Sequence, residues 1–157
     1  MGDHDILRLL ADERALGRLT EEYARATDRR ELAAAASLFA EDGLLILFMD
    51  GAESPPTGHH QGRAAIGAAI AAVTRFDATT HFLGQRTFEV DGDHARGETY
   101  CLAYHVRKRP GRQVNVLLAV RYLDTYVRRD DRWLFSERVM ISDWTDRSEQ
   151  GEPPGSP

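Results

Sequence analysis

Asp28, His81 and His105 carry the side-chain types that general acid–base catalysis uses most often. A histidine can exchange a proton near neutral pH, and both nitrogens of its ring can take part. Each residue also has a structural interpretation. Asp28-Arg-Arg-Glu31 matches a capping box, in which Asp28 caps a helix, and His81 follows Thr79-Thr80 at the start of a strand pattern, where a lone histidine is typically structural. Residue type alone leaves both roles open.

His105 lies in a strand pattern whose two faces differ in character. On its own face the neighbours are small and of mixed polarity: Thr99, Cys101 and Ala103. Such a set is more typical of a pocket wall than of a dense core. The opposite face carries Tyr100, Leu102 and Tyr104. Cys101 could act as a nucleophile only with exposure and an activating partner, so burial in the strand is the favoured interpretation.

Arg138 belongs to a later strand pattern. Alternation places it with Leu134, Ser136 and Met140 and puts Phe135 on the other face. An exposed arginine at a sheet edge and an arginine that faces a pocket are both open interpretations.

Familiar catalytic and cofactor motifs do not occur in the sequence. There is no Gly-x-Ser-x-Gly elbow, P-loop, Gly-x-Gly-x-x-Gly or His-Glu-x-x-His. Asp28, His81 and His105 could formally be a two-histidine, one-carboxylate iron site, but their separation neither supports nor excludes it. His59-His60 lies in a loop pattern and is interpreted as a solvated pair. We expect neither a metal nor a cofactor.

Composition limits the class of protein. The 157 residues suit one domain, and 42% hydrophobic residues are enough for a core. No apolar run approaches the roughly 20 residues that cross a bilayer, and residues 1–13 lack the pattern of a secretion signal. We expect a cytoplasmic protein that binds no membrane.

Charge argues against nucleic-acid binding, because the formal net charge is −5. Arg107-Lys108-Arg109 and Arg112 form a short basic cluster beside Pro110-Gly111. We interpret this cluster as a solvated hairpin tip rather than a phosphate-binding patch.

The elements that must position these residues follow from periodicity. Apolar residues at helical spacing predict a first helix that breaks near Thr27-Asp28, a second helix over Arg29–Ala40 stopped by Glu41-Asp42-Gly43, and a third over Arg63–Thr74. Leu44–Met49 reads as a short strand and Asp50–Gly62 as a loop. Period-two patterns then predict four strands: His81–Val90, Ala95–Arg107, Val114–Arg128 and Arg132–Ser142.

Helices followed by antiparallel strands predict an α+β fold, in which three N-terminal helices pack on a strongly curved sheet that encloses a pocket. We expect one domain over residues 1–147 and a disordered Pro/Gly-rich tail over 148–157. The Val- and Leu-rich strand Val114–Arg128 suggests a sheet face covered by another subunit, in a homodimer or homotrimer.

From Ala11 to Ser142, the sequence resembles the SnoaL-like branch of the NTF2-like (cystatin-like) superfamily, especially the scytalone dehydratase-like group. The resemblance rests on short motifs in a particular order: Tyr23-Ala-Arg-Ala-Thr-Asp28-Arg-Arg-Glu-Leu, Leu38-Phe39-Ala-Glu-Asp-Gly43, Thr80-His81-Phe-Leu-Gly84, Tyr104-His105, and Arg121-Tyr-Leu-Asp-Thr-Tyr126 leading to Trp133 and Arg138. It implies the NTF2-like cone.

The resemblance also implies roles for individual residues. Asp28 and His81 match the catalytic Asp–His pair of the group, His105 matches a second histidine, and Tyr23 matches a tyrosine of the bile-acid dehydratases. Arg138 matches a pocket arginine of the related dehydrochlorinase. With Arg138, we expect Tyr104, Phe48 and Cys101 to bind substrate. Thr27 stands where scytalone dehydratase has a tyrosine, so this sequence departs from that enzyme.

The implied activity is a cofactor-independent dehydratase that acts by Asp–His acid–base catalysis. Its substrate would be a small, largely apolar cyclic metabolite, polyketide-, steroid- or aromatic-like. A polyketide cyclase or isomerase with the same base, and a non-catalytic ligand-binding or dimerisation module, are the alternatives.

Overall fold

Three α-helices, a short 3₁₀ helix and six strands make up the protein in this computed structural model, which describes residues 2–151. In chain order they are α1 (Asp3–Asp28), α2 (Leu32–Ser37), β1 (Phe39–Phe48), β2 (Gly58–Gln61), α3 (Arg63–Ile70), the 3₁₀ helix (Ala71–Arg75), β3 (Ala78–Asp91), β4 (His94–Arg109), β5 (Arg112–Arg129) and β6 (Arg132–Gly151). The α+β prediction, with three helices ahead of the last four strands, is confirmed.

All six strands form one mixed sheet in the order β2-β1-β6-β5-β4-β3. Neighbouring strands are antiparallel except for β1 and β6, which are parallel. Helix α1 packs on β3 and β6, while α3 packs on β1 and β2. Because helices contact strands at both ends of the sheet, the sheet curls around them and leaves an interior between the two layers.

Helix α1 presents the apolar face that its sequence predicts. Leu16, Leu19, Tyr23 and Ala26 are buried and pack with aromatic residues of the sheet. Asp12 lies on the same face, where it accepts hydrogen bonds from the Trp133 indole at 3.1 Å and the Arg128 guanidinium at 2.7 Å. The long helix is therefore fixed to the sheet along its whole buried stripe.

The chain between α1 and β2 differs from the prediction. The second helix covers only Leu32–Ser37, and Glu41-Asp42-Gly43, predicted to stop it, lie inside β1. The pairing of β1 with β6 shifts register between Phe39 and Leu44, so this strand begins irregularly. The predicted loop Asp50–Gly62 contains β2, which carries His59 and His60 and pairs with β1.

Strand β6 reaches Gly151 and pairs with β5 over its whole length. Residues 148–151 are therefore strand rather than the predicted tail, since the partner residues Arg112–Asn115 supply their backbone hydrogen bonds. The rest of the predicted tail, 152–157, lies outside the described residues. No helix within residues 2–151 is long and apolar enough to cross a membrane.

Candidate active site

Asp28 and His81 are held together where α1 ends beside β3. The His81 ring nitrogen Nδ1 lies 2.6 Å from Asp28 Oδ1, and the His81 backbone N–H donates to Asp28 Oδ2 at 2.8 Å. The Thr79 hydroxyl donates to Asp28 Oδ1 at 2.9 Å. The carboxylate thus receives three hydrogen bonds from one strand, and the resemblance-based prediction that these two residues meet agrees with the geometry.

The capping interpretation of Asp28 is wrong. Asp28 is the last residue of α1, and α2 begins after Glu31 with no side-chain cap. Glu31 instead pairs with Arg25 at 2.7 Å. The carboxylate faces β3 because α1 ends before the segment that a capping box would have started.

The end of α1 is fixed by a Schellman-type turn. Arg30 has a left-handed backbone with φ of 63°, which lets the Glu31 N–H donate to the Ala26 carbonyl at 2.9 Å. A non-glycine residue is uncommon there. The Arg30 guanidinium compensates by donating to the Thr79 hydroxyl at 2.6 Å and to the carbonyls of Thr27 and Asp28 at 3.2 Å. Arg30 therefore couples the helix end to the strand that carries His81.

These contacts define the charge and the tautomer of the pair. Burial alone would raise the pKa of Asp28, but the hydrogen bonds from His81 and Thr79 outweigh it and hold the pKa below its usual range. An ionised Asp28 accepts the proton on His81 Nδ1. The other ring nitrogen, Nε2, then has a free lone pair, which is the state that a general base needs.

His81 forms part of the wall of an interior cavity of about 140 Å³. Most of the wall is aliphatic, and it includes Leu45, Leu47, Ile70, Val73, Leu118 and Val120. The polar side chains in the wall are few: Tyr23, Thr27, Arg75, His81, His105 and Tyr122. An apolar cavity with a small number of convergent polar groups is typical of a small-molecule site.

His105 lies on β4, the strand next to the one that carries His81, and both residues line the cavity. The two ring centroids are 5.9 Å apart and nearly perpendicular, and the Phe76 ring lies 4.6 Å from His105. Burial, reinforced by His81 and Arg75, lowers the pKa of His105 to about 4. Its Nδ1 is buried and has no hydrogen-bond partner among the described residues. At neutral pH the ring is uncharged and free to bond a ligand.

We expect His105 to make the protein less stable in mild acid. The unfolded chain takes up a proton near pH 6.5, whereas the folded protein resists it down to about pH 4, so stability is lost as the pH falls through this interval. The full shift corresponds to roughly 3 kcal/mol, and partial exposure reduces the expected loss to about 2 kcal/mol. Urea unfolding of wild type and of His105→Gln, each at pH 6.5 and at about pH 4, measures this loss of stability. An equal loss in both proteins would contradict the assignment.

Tyr23 also lines the cavity, and burial raises the pKa of its hydroxyl, which therefore keeps its proton at neutral pH. The guanidinium carbon of Arg138 lies over the Tyr23 ring, 4.3 Å from the ring centroid. Arg138 also lies 4.1 Å from the centroid of Tyr122, another cavity residue. Of the predicted catalytic set, His81, His105 and Tyr23 thus line one cavity, and Asp28 is connected to it through its hydrogen bonds with His81.

Arg138 itself is only 1% exposed and does not line the cavity. Its guanidinium donates two hydrogen bonds of 2.8 Å to the Asp124 carboxylate. Burial alone would lower the pKa of Arg138, but Asp124 outweighs it and raises that pKa. The structure places Arg138 beneath the two tyrosines, so the exposed-edge interpretation is wrong.

The prediction that Phe135 and Arg138 lie on opposite faces of the strand is also wrong. Pairing of β5 with β6 shifts register between Thr125 and Tyr126, which leaves Ser136 as an extra residue. The bulge brings Phe135 and Arg138 to the same inner face, 4.1 Å from guanidinium carbon to ring centroid. Simple alternation fails at this point of the strand.

Three other predicted substrate-binding residues lie outside the cavity lining. Tyr104 is 41% exposed on the outer face of β4, opposite His105. Phe48 alternates with Leu47, which does line the cavity. Cys101 packs beside the wall rather than in it, and burial raises the pKa of its thiol to about 12, so it stays protonated.

Sequence reasoning assigned no role to three polar residues of the wall: Thr27, Arg75 and Tyr122. The Thr27 hydroxyl is buried without a hydrogen-bond partner among the described residues and borders the cavity. Tyr122 lies on the inward face of β5 with Val120 and Leu118. The period-two pattern of β5 could have identified Tyr122, whereas nothing local marks Thr27 beyond its position before Asp28.

A family model of the SnoaL-like domain matches residues 8–139, which is most of the chain. This chain belongs to the SnoaL-like family. The match covers α1, the start of the sheet and the strands that carry both histidines. No curated relative matches the sequence.

Solved structures share the SnoaL-like fold. A candidate scytalone dehydratase from Novosphingobium aromaticivorans is 25% identical over 87% of each chain, with a TM-score of 0.73. A hexachlorocyclohexane dehydrochlorinase from Novosphingobium barchaimii is 21% identical over 90% of this chain and 93% of its own, with a TM-score of 0.75. An NTF2-like protein with a cystatin-like fold from N. aromaticivorans is 26% identical over 87% and 85%, with a TM-score of 0.66. The NTF2-like cone predicted for this SnoaL-like chain is confirmed.

Within residues 2–151, no group of three or more His, Cys, Asp or Glu side chains is arranged to hold a metal ion.

Proposed function

We propose that this protein is a lyase that needs no cofactor, a dehydratase in which His81 acts as the general base. The observation that carries the proposal is the 2.6 Å contact between Asp28 and His81 Nδ1 at the wall of an apolar cavity. A general base of this kind contributes typically 10²–10⁴-fold to a rate. The neighbouring structure named as a candidate scytalone dehydratase supports the reaction class.

In the proposed reaction, His81 Nε2 removes a proton from a carbon next to a carbonyl group. The electrons of that C–H bond form a carbon–carbon double bond, and the hydroxyl group on the adjacent carbon leaves. Tyr23 and the neutral His105 can donate hydrogen bonds to the carbonyl or leaving oxygen. The proton gained by His81 passes to the departing hydroxide, so water is released and the enzyme returns to its starting state.

The cavity suits a small, largely apolar cyclic substrate. Its wall offers aliphatic contacts on most sides and few hydrogen-bond donors, so a ring with one or two oxygens would satisfy the polar groups. Cyclic β-hydroxy ketones such as 3-hydroxy-1-tetralone, which becomes 1-naphthol on losing water, are suitable probes.

The assay compares wild type with His81→Gln on these probes in D₂O. We expect wild type to form a product lighter by one water, and His81→Gln to lose this activity together with deuterium exchange at the acidic carbon. His59→Gln is the matched control, because His59 is exposed on β2 and does not line the cavity. Undiminished turnover by His81→Gln would refute the proposal.

The same assay separates the alternatives. A cyclase or isomerase would give a product that has lost no water and differs in mass from the substrate only by incorporated deuterium, and it would still depend on His81. A ligand-binding module would bind the probes without deuterium exchange or turnover.

A further inference from the structure

A second cavity, of about 330 Å³, adjoins the first and is lined by five arginines. They come from four elements: Arg75, Arg107, Arg109, Arg112 and Arg147. Arg75, Phe76 and His105 line both cavities. A ligand in the first cavity would therefore directly adjoin this second cavity, which we call the arginine pocket.

The arginine pocket has little negative charge of its own. Glu149 pairs with Arg112 and Arg147, both at 3.3 Å. Within residues 2–151, Arg75, Arg107 and Arg109 form no ion pair, and Arg107 Nε is buried without a hydrogen-bond partner. The nearby Asp77 carboxylate instead accepts the backbone N–H of Lys108 at 2.6 Å. Five guanidinium groups thus face one paired carboxylate.

Phe76 contacts two of these guanidinium groups. The guanidinium carbons of Arg75 and Arg107 lie 5.3 and 5.2 Å from the centroid of its ring. Cation–π contact positions both groups but supplies no negative charge to balance them. An anion in the pocket would supply it, and the planar guanidinium fork matches the oxygens of a carboxylate or phosphate.

We infer that the arginine pocket binds an anionic group, a carboxylate or a phosphate, carried by the same ligand whose apolar ring lies in the first cavity. The inference rests on the proposed function for the existence of that ligand. It extends the interpretation of the basic cluster. The hairpin tip is exposed as predicted, at Lys108, Arg109 and Arg112, but Arg107, Arg109 and Arg112 also line the pocket. The substrate would be amphiphilic rather than wholly apolar.

The test measures the dissociation constants of three probes that share one ring system: 2-naphthoate, 2-naphthyl phosphate and the uncharged methyl 2-naphthoate. By calorimetry, we expect wild type to bind at least one anionic probe ten or more times tighter than the ester. A preference for naphthoate alone would identify a carboxylate group, and a preference for naphthyl phosphate alone a phosphate group. Equal affinities, or no binding of either anion, would overturn the inference.

The double variant Arg107→Gln/Arg109→Gln should abolish this preference and leave the affinity for the ester unchanged, since neither residue lines the first cavity. Arg18→Gln/Arg96→Gln is the matched control, because it removes the same charge from two exposed positions outside the pocket. An equal loss in both double variants would show a long-range charge effect and overturn the inference. If the first double variant does not fold, the exposed Arg109→Gln should give a partial loss, and an unchanged preference there would count against the pocket.

Failure of the catalytic proposal is distinguishable from failure of this one. His81→Gln should keep the preference for anions, since His81 does not line the arginine pocket. A protein that prefers the anionic probes but whose turnover is unaffected by His81→Gln would retain the arginine pocket and lose the proposed mechanism.

Discussion

Replacing Asp28 with asparagine is expected to lower kcat by about 10²–10⁴-fold on a confirmed substrate. The asparagine side chain has nearly the same shape, but its amide can present N–H rather than oxygen to His81 Nδ1. Nδ1 would then become the acceptor and the proton would move to Nε2, the nitrogen that must act as the base. Binding should change little, because Asp28 does not line the substrate cavity.

Steady-state kinetics and ¹⁵N spectra of the His81 ring measure this effect together. We expect a loss in kcat with little change in KM, accompanied by a change of tautomer. Glu31→Gln is a control for charge, since Glu31 follows closely in sequence yet pairs with Arg25 rather than His81. An Asp28→Asn protein that keeps both its Nδ1–H tautomer and its kcat would contradict the assignment.

The sequence predicted the element types well because the apolar periods of α1 and of the last four strands are long and regular. The errors fall where local signals compete with tertiary pairing. Glu41-Asp42-Gly43 has the composition of a helix stop, but it lies inside β1, in the irregular stretch between Phe39 and Leu44, which both pair in parallel with β6. The edge strand β2 has only four residues and is formed by its pairing with Leu44–Leu47, which a single sequence does not show.

The residues of the candidate site likewise differ in how far local sequence could predict their positions. The contact between Asp28 and His81 could be predicted only from the family resemblance, because the residues are 53 positions apart and the local sequence favours a helix cap. Tyr104 and Phe48 could have been excluded by strand alternation alone. The partner of Arg138 could not have been found so simply, since the register shift beside Thr125 changes which residues face inward.

The arginine pocket was also partly visible in the sequence. Arg107, Arg109 and Arg112 belong to one hairpin, and alternation places Arg107 and Arg109 on the face of His105. Arg75 and Arg147 join them from distant parts of the chain, and only the fold shows that the five share one cavity. Arg109 and Arg112 stay exposed, as the composition of the hairpin indicates, and they nevertheless line the pocket.

Removing the Asp124 carboxylate is expected to cause the largest loss of stability among single substitutions at the site. Asp124→Ala would leave the Arg138 guanidinium buried without its two hydrogen bonds and would also deprive the Tyr126 hydroxyl of its acceptor at 3.0 Å. Breaking a buried pair from one side costs about 3–5 kcal/mol. For a domain of this size that is a fall in Tm of roughly 10 °C. Thermal and urea unfolding measure both quantities.

The double variant Asp124→Leu/Arg138→Met separates the cost of an unpaired charge from the worth of the pair. It removes both charges and keeps an apolar volume beneath Tyr23 and Tyr122, so it should recover most of the stability that Asp124→Ala loses. If it is as unstable as Asp124→Ala, packing of the guanidinium between the three aromatic rings, rather than charge pairing, stabilises the interior. A stable double variant that has nevertheless lost kcat would show that Arg138 positions Tyr23 for the reaction. The buried Asp124–Arg138 pair would then hold Tyr23 in place beneath the cavity wall, as Asp28 holds His81 beside it.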